Sequence, residues 1–169
     1  ICAMILDIVA CSEETGATYT TGNEHTGYFN RKYIPRKRGV DAAGDQNLTN
    51  PNNYRAIRYS DVLLMAAEAN NRGGINDAKA QTYLNQVRRR AFGNNNHDIA
   101  LSGAELTEAI YQERRLELLG EGHRFFDLVR TGQAADKIAG FIVGKNEVFP
   151  IPLEEIEFSA GNWSQNPNY

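Results

Sequence analysis

The chain is 169 residues long and 41% hydrophobic, with 18 basic against 21 acidic residues for a net charge of −3. That is enough apolar material for one sizeable core, and the charge balance creates no field that would draw nucleic acid or an anionic membrane. No apolar run reaches the length of a transmembrane helix, and two cysteines, Cys2 and Cys11, are too few for a disulfide framework.

Residues 1–10 (ICAMILDIVA) are β-prone. Ile8-Val9-Ala10-Cys11 resembles a lipid-attachment site, but no basic segment precedes it and Asp7 interrupts the apolar run, so a strand is expected here. Residues 11–27, rich in Thr, Gly, Ser and Glu, read as a surface loop. Residues 28–38 read as extended. Their basic cluster, Arg31, Lys32, Arg36, Lys37 and Arg38, suits a charged strand edge that resists aggregation better than a phosphate-binding patch. The polar, turn-rich stretch 41–53 leads into the helices.

Residues 54–72 are apolar nearly all round in their middle (VLLMAAEA), the pattern of a helix buried on every side. Gly73 and Gly74 end it. Residues 77–91 follow with a stripe of Ala80, Tyr83, Leu84, Val87 and Ala91, and Arg88, Arg89 and Arg90 sit where positive charge suits the helix dipole. The short glycine-containing turn makes the pair an antiparallel hairpin, much like one tetratricopeptide unit. After the Asn-rich stretch 93–100, Ser102 and Glu105 have the spacing of a capping box that starts a third helix, 102–120. Gly120 and Gly122 interrupt it, 124–129 resumes as a short helix, and 133–139 predicts another helical piece. The tail from 146 is expected to alternate extended and turn elements around Pro150, Pro152 and Pro167. The expected fold is mainly α, with tetratricopeptide-like helical hairpins. Residues 1–53 form an irregular, short-β flank and 54–169 the helical core.

Positions 106, 110, 113, 117 and 121 share one face of the third helix. Leu106 and Ile110 make that face apolar, so Glu113, Glu117 and Glu121 are expected to point into a core. Buried carboxylates are costly unless paired and hydrogen-bonded. The same segment offers Arg114, His123, Arg124 and Arg130, with Asp127 between them, so these residues read as a structural ion network. Acid–base or metal chemistry is the competing reading, but the Glu-x-x-His pairs of di-metal bundles are absent. His25, His97 and His123 show no metal-ligand spacing. No catalytic residue, enzyme activity, metal or cofactor is expected.

The segment ERRLELLGEGHRFFDLVRTG (113–132) closely resembles the C-terminal signature of the SusD/RagB family of bacterial nutrient-binding lipoproteins. RYSDVLLMAAEANNRGG (58–74), DAKAQTYLNQVRRRA (77–91), GKNEVFPIPLEEI (144–156) and QNPNY (165–169) resemble further family segments in the same order. GYFNRKYIPRKRG (27–39) is a looser match. Thr131 departs from the pattern, since the family commonly carries Trp after that arginine.

The resemblance implies the C-terminal part of a longer SusD-like chain. It implies non-catalytic capture of oligosaccharides, or of peptides in the RagB branch, on the extracellular face of a Gram-negative outer membrane. Delivery would be to a SusC-like TonB-dependent transporter, with this fragment supplying mainly scaffold and transporter-facing surface. The lipid anchor would lie outside the fragment. Sugar rings stack on aromatic faces, so Tyr19, Tyr28, Phe29 and Trp163, which lie outside the helical stripes, are the ligand-binding candidates. Each has an alternative role in packing, and the Asn-rich loops 46–53 and 93–97 read either as the rim of such a site or as plain turns. The alternative function is a tetratricopeptide-like module that binds a protein or peptide.

Overall fold

The computed structural model describes residues 5–7, 26–33 and 53–169. Cys2, Cys11, Tyr19, His25 and the basic residues Arg36, Lys37 and Arg38 lie outside these described residues. The described residues form two short strands and six helices, a mainly helical fold. They separate into two compact units, Ile1–Gly122 and His123–Tyr169. Among the described residues no helix is long and apolar enough to cross a membrane.

In the first unit β1 (Ile5–Asp7) pairs antiparallel with β2 (Tyr28–Asn30), placing Ile5 opposite Asn30 and Asp7 opposite Tyr28. Three helices follow: α1 (Tyr59–Arg72), α2 (Asp77–Phe92) and α3 (Gly103–Glu117). α1 begins five residues later than the apolar pattern suggests. Arg58 is extended, and Asp61 supplies negative charge to the first turn, where the dipole favours it. Asn76 caps α2 by accepting the Lys79 N–H at 2.9 Å, and Gly93, in the left-handed region at φ +73°, ends it.

The core is one cluster drawn from all three helices: Leu63, Leu64 and Ala67 from α1, Ala80, Leu84 and Val87 from α2, Leu106 and Ile110 from α3. Each large side chain buried this way contributes about 1.5–3 kcal/mol. The expectation that α1 is buried on every side does not hold, because Tyr59, Val62 and Met65 remain exposed along one face. Asn85 holds the 93–102 connection against α2 by a reciprocal pair, its amide donating to the Ile99 carbonyl at 2.9 Å and accepting the Ile99 N–H at 2.8 Å.

The start of α3 also differs from its sequence pattern. Ser102 makes no side-chain cap bond among the described residues. The Asp77 carboxylate caps this end instead, accepting the Gly103 N–H at 2.7 Å and the Asn71 amide at 2.7 Å. One acidic side chain from α2 thereby joins the end of α1 to the start of α3.

The second unit holds α4 (Arg124–Arg130), α5 (Ala134–Lys137) and α6 (Leu153–Phe158). α6 stands where only extended and turn elements were expected. Pro152 precedes its first residue, and Glu154 and Glu155 occupy its first turn, which are helix-start signals. The last residues close over the segment before α6. Gln165 exchanges two hydrogen bonds with the Ile151 backbone at 2.8 Å, Asn166 donates to the Phe149 carbonyl, and the Tyr169 hydroxyl donates to the Val148 carbonyl.

Candidate functional site

The face of α3 that carries Leu106 and Ile110 also buries Glu113 and Glu117, and Glu121 is buried in the turn beyond it; Glu117 is 2% exposed. Burial on this scale demands cationic partners, and the structure supplies them mostly from outside the 113–132 segment. Arg88 of α2 donates to Glu113 at 2.6 Å. Glu117 accepts Arg58 at 2.9 Å on Oε1, and Arg90 on the same oxygen. Arg58 also meets Glu121 through two nitrogens, at 2.7 and 2.9 Å, and Lys32 donates to Glu121 and, at 2.6 Å, to the Glu117 carbonyl. Glu117 Oε2 is buried without a hydrogen-bond partner among the described residues.

Electrostatics follow from these bonds. Burial pushes the Glu121 carboxyl up, but hydrogen bonds from Arg58 and Lys32 outweigh it and hold the group below its ordinary range. Burial acts on Arg58 in the downward direction, yet its bonds to Glu121 and Glu117 prevail and keep it above the usual guanidinium value. Both groups are therefore held charged.

The other network candidates are placed differently. Arg114, itself buried, donates to the equally buried Asp61 of α1 at 2.7 Å. Asp127 accepts two bonds from Arg130, at 2.9 and 2.7 Å, within α4. His123 takes the position before α4 and Arg124 is its first residue; both are half-buried. Thr131 donates its hydroxyl to the Asp127 carbonyl at 2.6 Å, closing that helix.

Arg58, Arg88, Arg90 and Lys32 are the partners that sequence reasoning missed as such. Arg88 and Arg90 carried a reading of their own as dipole complements, Arg58 stood inside the expected helix 54–72, and Lys32 was assigned to a charged strand edge. In fact the Lys32 side chain is only 12% exposed. No local signal marked them: the segment has cations of its own in number, but in the fold Arg114 pairs with Asp61 and Arg130 with Asp127.

Of the aromatic candidates, Tyr28 and Phe29 line a small apolar cleft of about 220 Å³ together with Ile5, Asn30, Leu119 and Gly120. Tyr28 is 61% exposed, so its ring is open to a ligand, whereas Phe29 is half-buried. Trp163 is 55% exposed and belongs to the second unit, where its backbone N–H donates to the Ser159 hydroxyl at 3.0 Å. In the Asn-rich loop, Asn94 and Asn96 make local turn bonds and His97 stacks on Phe92 at 4.0 Å. Among the described residues, no group of three His, Cys, Asp or Glu side chains is arranged to hold a metal.

A family model, that of the SusD family, matches residues 9–148 of the chain. SusD-like protein P25 from Formosa agariphila is 34% identical over 143 residues, an alignment that covers 76% of this chain and 27% of that protein. SusD-like protein P2 from the same organism is 29% identical, covering 99% of this chain and 36% of the relative. Among solved structures, surface glycan-binding protein A from Bacteroides thetaiotaomicron superposes with a TM-score of 0.79 at 33% identity, covering 99% of this chain and 37% of that one. A second structure of that protein, in complex with laminarihexaose, gives 0.78 at 33% identity, covering 99% of this chain and 38% of that one. The chain thus spans about a third of the length of the proteins it matches.

Proposed function

The chain belongs to the SusD family, and on that premise we propose that it serves the capture of oligosaccharide at the outer face of a Gram-negative outer membrane. Its role is binding and handover to a SusC-like TonB-dependent transporter, with no bond made or broken. The observation that carries this reading is the near-complete superposition on a surface glycan-binding protein solved with laminarihexaose.

Within that process the first unit supplies scaffold. Its buried ion pairs and three-helix core fix the backbone on which loops and aromatics are presented. Tyr28 and Trp163 are the ring faces open to a sugar. The exposed apolar residues of the second unit, Val143, Phe149 and Phe158 among them, supply transporter-facing surface.

The test is to recover the native protein from its source cells with an antibody to this chain and to weigh what accompanies it. A heavier, lipid-bearing protein held by a large barrel supports the reading. A free chain near 18.8 kDa sinks it. Retention on glucan gels then tests each ring by itself: Tyr28→Ala and Trp163→Ala should each reduce it, and unchanged retention in a variant would remove that ring from glycan binding.

A further inference from the structure

Between α5 and α6 the chain runs without helix or strand, and no residue from 138 to 169 is buried. Such a stretch keeps one conformation only through its hydrogen bonds. Some of these are internal. The Ile142 carbonyl accepts the N–H groups of Lys145 and Asn146 at 3.2 and 3.0 Å, and the Asn146 side chain accepts the Ile142 N–H at 2.7 Å. The carbonyls of Gly144, Val148, Phe149 and Ile151 are answered from residues 165–169. Asn168 donates to Gly144 at 3.0 Å, the Tyr169 hydroxyl to Val148 at 2.9 Å, Asn166 to Phe149 at 2.6 Å and Gln165 to Ile151 at 2.8 Å. The Lys145 ammonium lies 4.8 Å from the centre of the Tyr169 ring.

The sequence of this strap shapes it for the task. Asn166-Pro167-Asn168-Tyr169 has proline at the second position of a turn and, at the third, Asn168 at φ +66°, the pattern of a type II turn. The Tyr169 N–H meets the Asn166 carbonyl at 3.4 Å. Asparagine is one of the few residues besides glycine that enter the left-handed region readily, and the proline ring fixes its own φ. Asn166, Asn168 and Tyr169 are thereby held in one relation to each other. The bonds they make to the loop all end on backbone atoms, so the strap reads the course of the chain rather than its side chains.

We propose that residues 165–169 are a latch that sets the conformation of 142–151 and opens on its own, while α4 and the helices of the first unit stay folded. Exposed hydrogen bonds compete with water and each adds little, whereas α4 is anchored by the buried Leu128 and the first unit by its apolar core. Opening the loop therefore requires only that the strap leave. Val143 and Phe149 keep a fixed spacing while the latch is closed. On the reading of these residues as transporter-facing surface, the strap is what positions that part of the surface.

The test is amide hydrogen exchange on the whole 169-residue chain, read by mass spectrometry. Asn168→Gly keeps the left-handed turn and removes the bond to Gly144, and Tyr169→Phe removes only the hydroxyl that reaches Val148. The double variant should speed exchange across 142–151 by about tenfold or more and leave α1, α2 and α4 at the parental rates. Gln165→Ala, an independent second variant, should speed the Ile151 amide, whose N–H donates to Gln165 at 2.8 Å. Unchanged exchange across 142–151 in both variants overturns the latch. So does a rise shared equally by α4, because the strap would then serve only the general stability of the unit. Neither result depends on the transporter reading, which recovery of the barrel tests separately.

Discussion

The guanidinium of Arg58 and the carboxylate of Glu121 meet fork to fork, Nε reaching Oε2 at 2.7 Å and Nη2 reaching Oε1 at 2.9 Å. This planar, two-point geometry is one an ammonium cannot reproduce. Arg58 spends its remaining nitrogen on Glu117 and Ser60 and also reaches the Glu117 carbonyl. One side chain at the threshold of α1 thereby bonds two carboxylates, at and just beyond the end of α3.

Arg58→Ala leaves Glu117 and Glu121 buried with fewer donors, and removing one partner of a buried pair typically costs about 3–5 kcal/mol. Urea denaturation should show a loss in that range. Arg58→Lys should recover part of it, and Arg124→Ala should cost clearly less than Arg58→Ala. Equal losses for Arg58→Ala and Arg124→Ala would place the critical cation in the second unit instead.

The depressed Glu121 carboxyl makes stability depend on acid. A carboxylate held below its unfolded value adds stability that is complete above that value, about 4.3, and is lost as pH falls through the folded value. The raised Arg58 acts in the other direction: its contribution is fully present through the acid and neutral range and is lost only far into the alkaline range. The melting temperature should therefore stay level from about pH 7 to pH 5 and fall below about pH 4. Glu121→Gln should melt lower at neutral pH and show a shallower acid decline. An equally steep decline in that variant would assign the acid sensitivity to other carboxylates.

Gly120 has φ +77°, and a Cβ built there would lie 2.5 Å from the Asn30 amide nitrogen, which itself donates to the Gly120 carbonyl at 2.7 Å. Gly120→Ala combines left-handed strain with a collision and should destabilise by about 1–3 kcal/mol. Asn30→Ala should relieve the collision alone, so the double variant should lose less than the sum of the two. Strict additivity on thermal melting would show that the two residues do not meet.

Because Asp77 rather than Ser102 holds the start of α3, Asp77→Ala should lower the melting temperature more than Ser102→Ala. The Asn71 amide and Gly103 N–H hold the Asp77 carboxyl below its ordinary range, so Asp77→Asn should show part of the same loss. The reverse order on melting would restore the Ser102–Glu105 box.

How far the sequence disclosed this arrangement depends on the range over which each interaction acts. The helices α1 and α2 and the inward-pointing Glu113, Glu117 and Glu121 were legible because periodicity is local and apolar neighbours such as Leu106 and Ile110 mark the buried face. The donors were not legible. Lys32 lies 89 residues from Glu121, and Arg58 lies 59 residues from Glu117, separations at which nothing in the chain announces a partner. The Ser102–Glu105 spacing misled because a capping pattern competes with any better-placed acceptor, and Asp77 is one. Helix α6 was hidden between prolines, although Pro152 and the following glutamates carried its start signal. The open ring of Tyr28 was nameable as a candidate, but its place on the rim of a cleft with Leu119 and Gly120 required the fold.

Lys32 turns out to be a natural reporter. Its amine is committed to the Glu117 carbonyl and the Glu121 carboxylate, whereas the side chains of Lys79 and Lys137 lie in exposed positions. An amine-reactive reagent should therefore modify Lys32 after Lys79 and Lys137, and at a rate set by how often the strand pair separates from the helix end. The pace of that one modification is a clock for the opening of the whole charged interior.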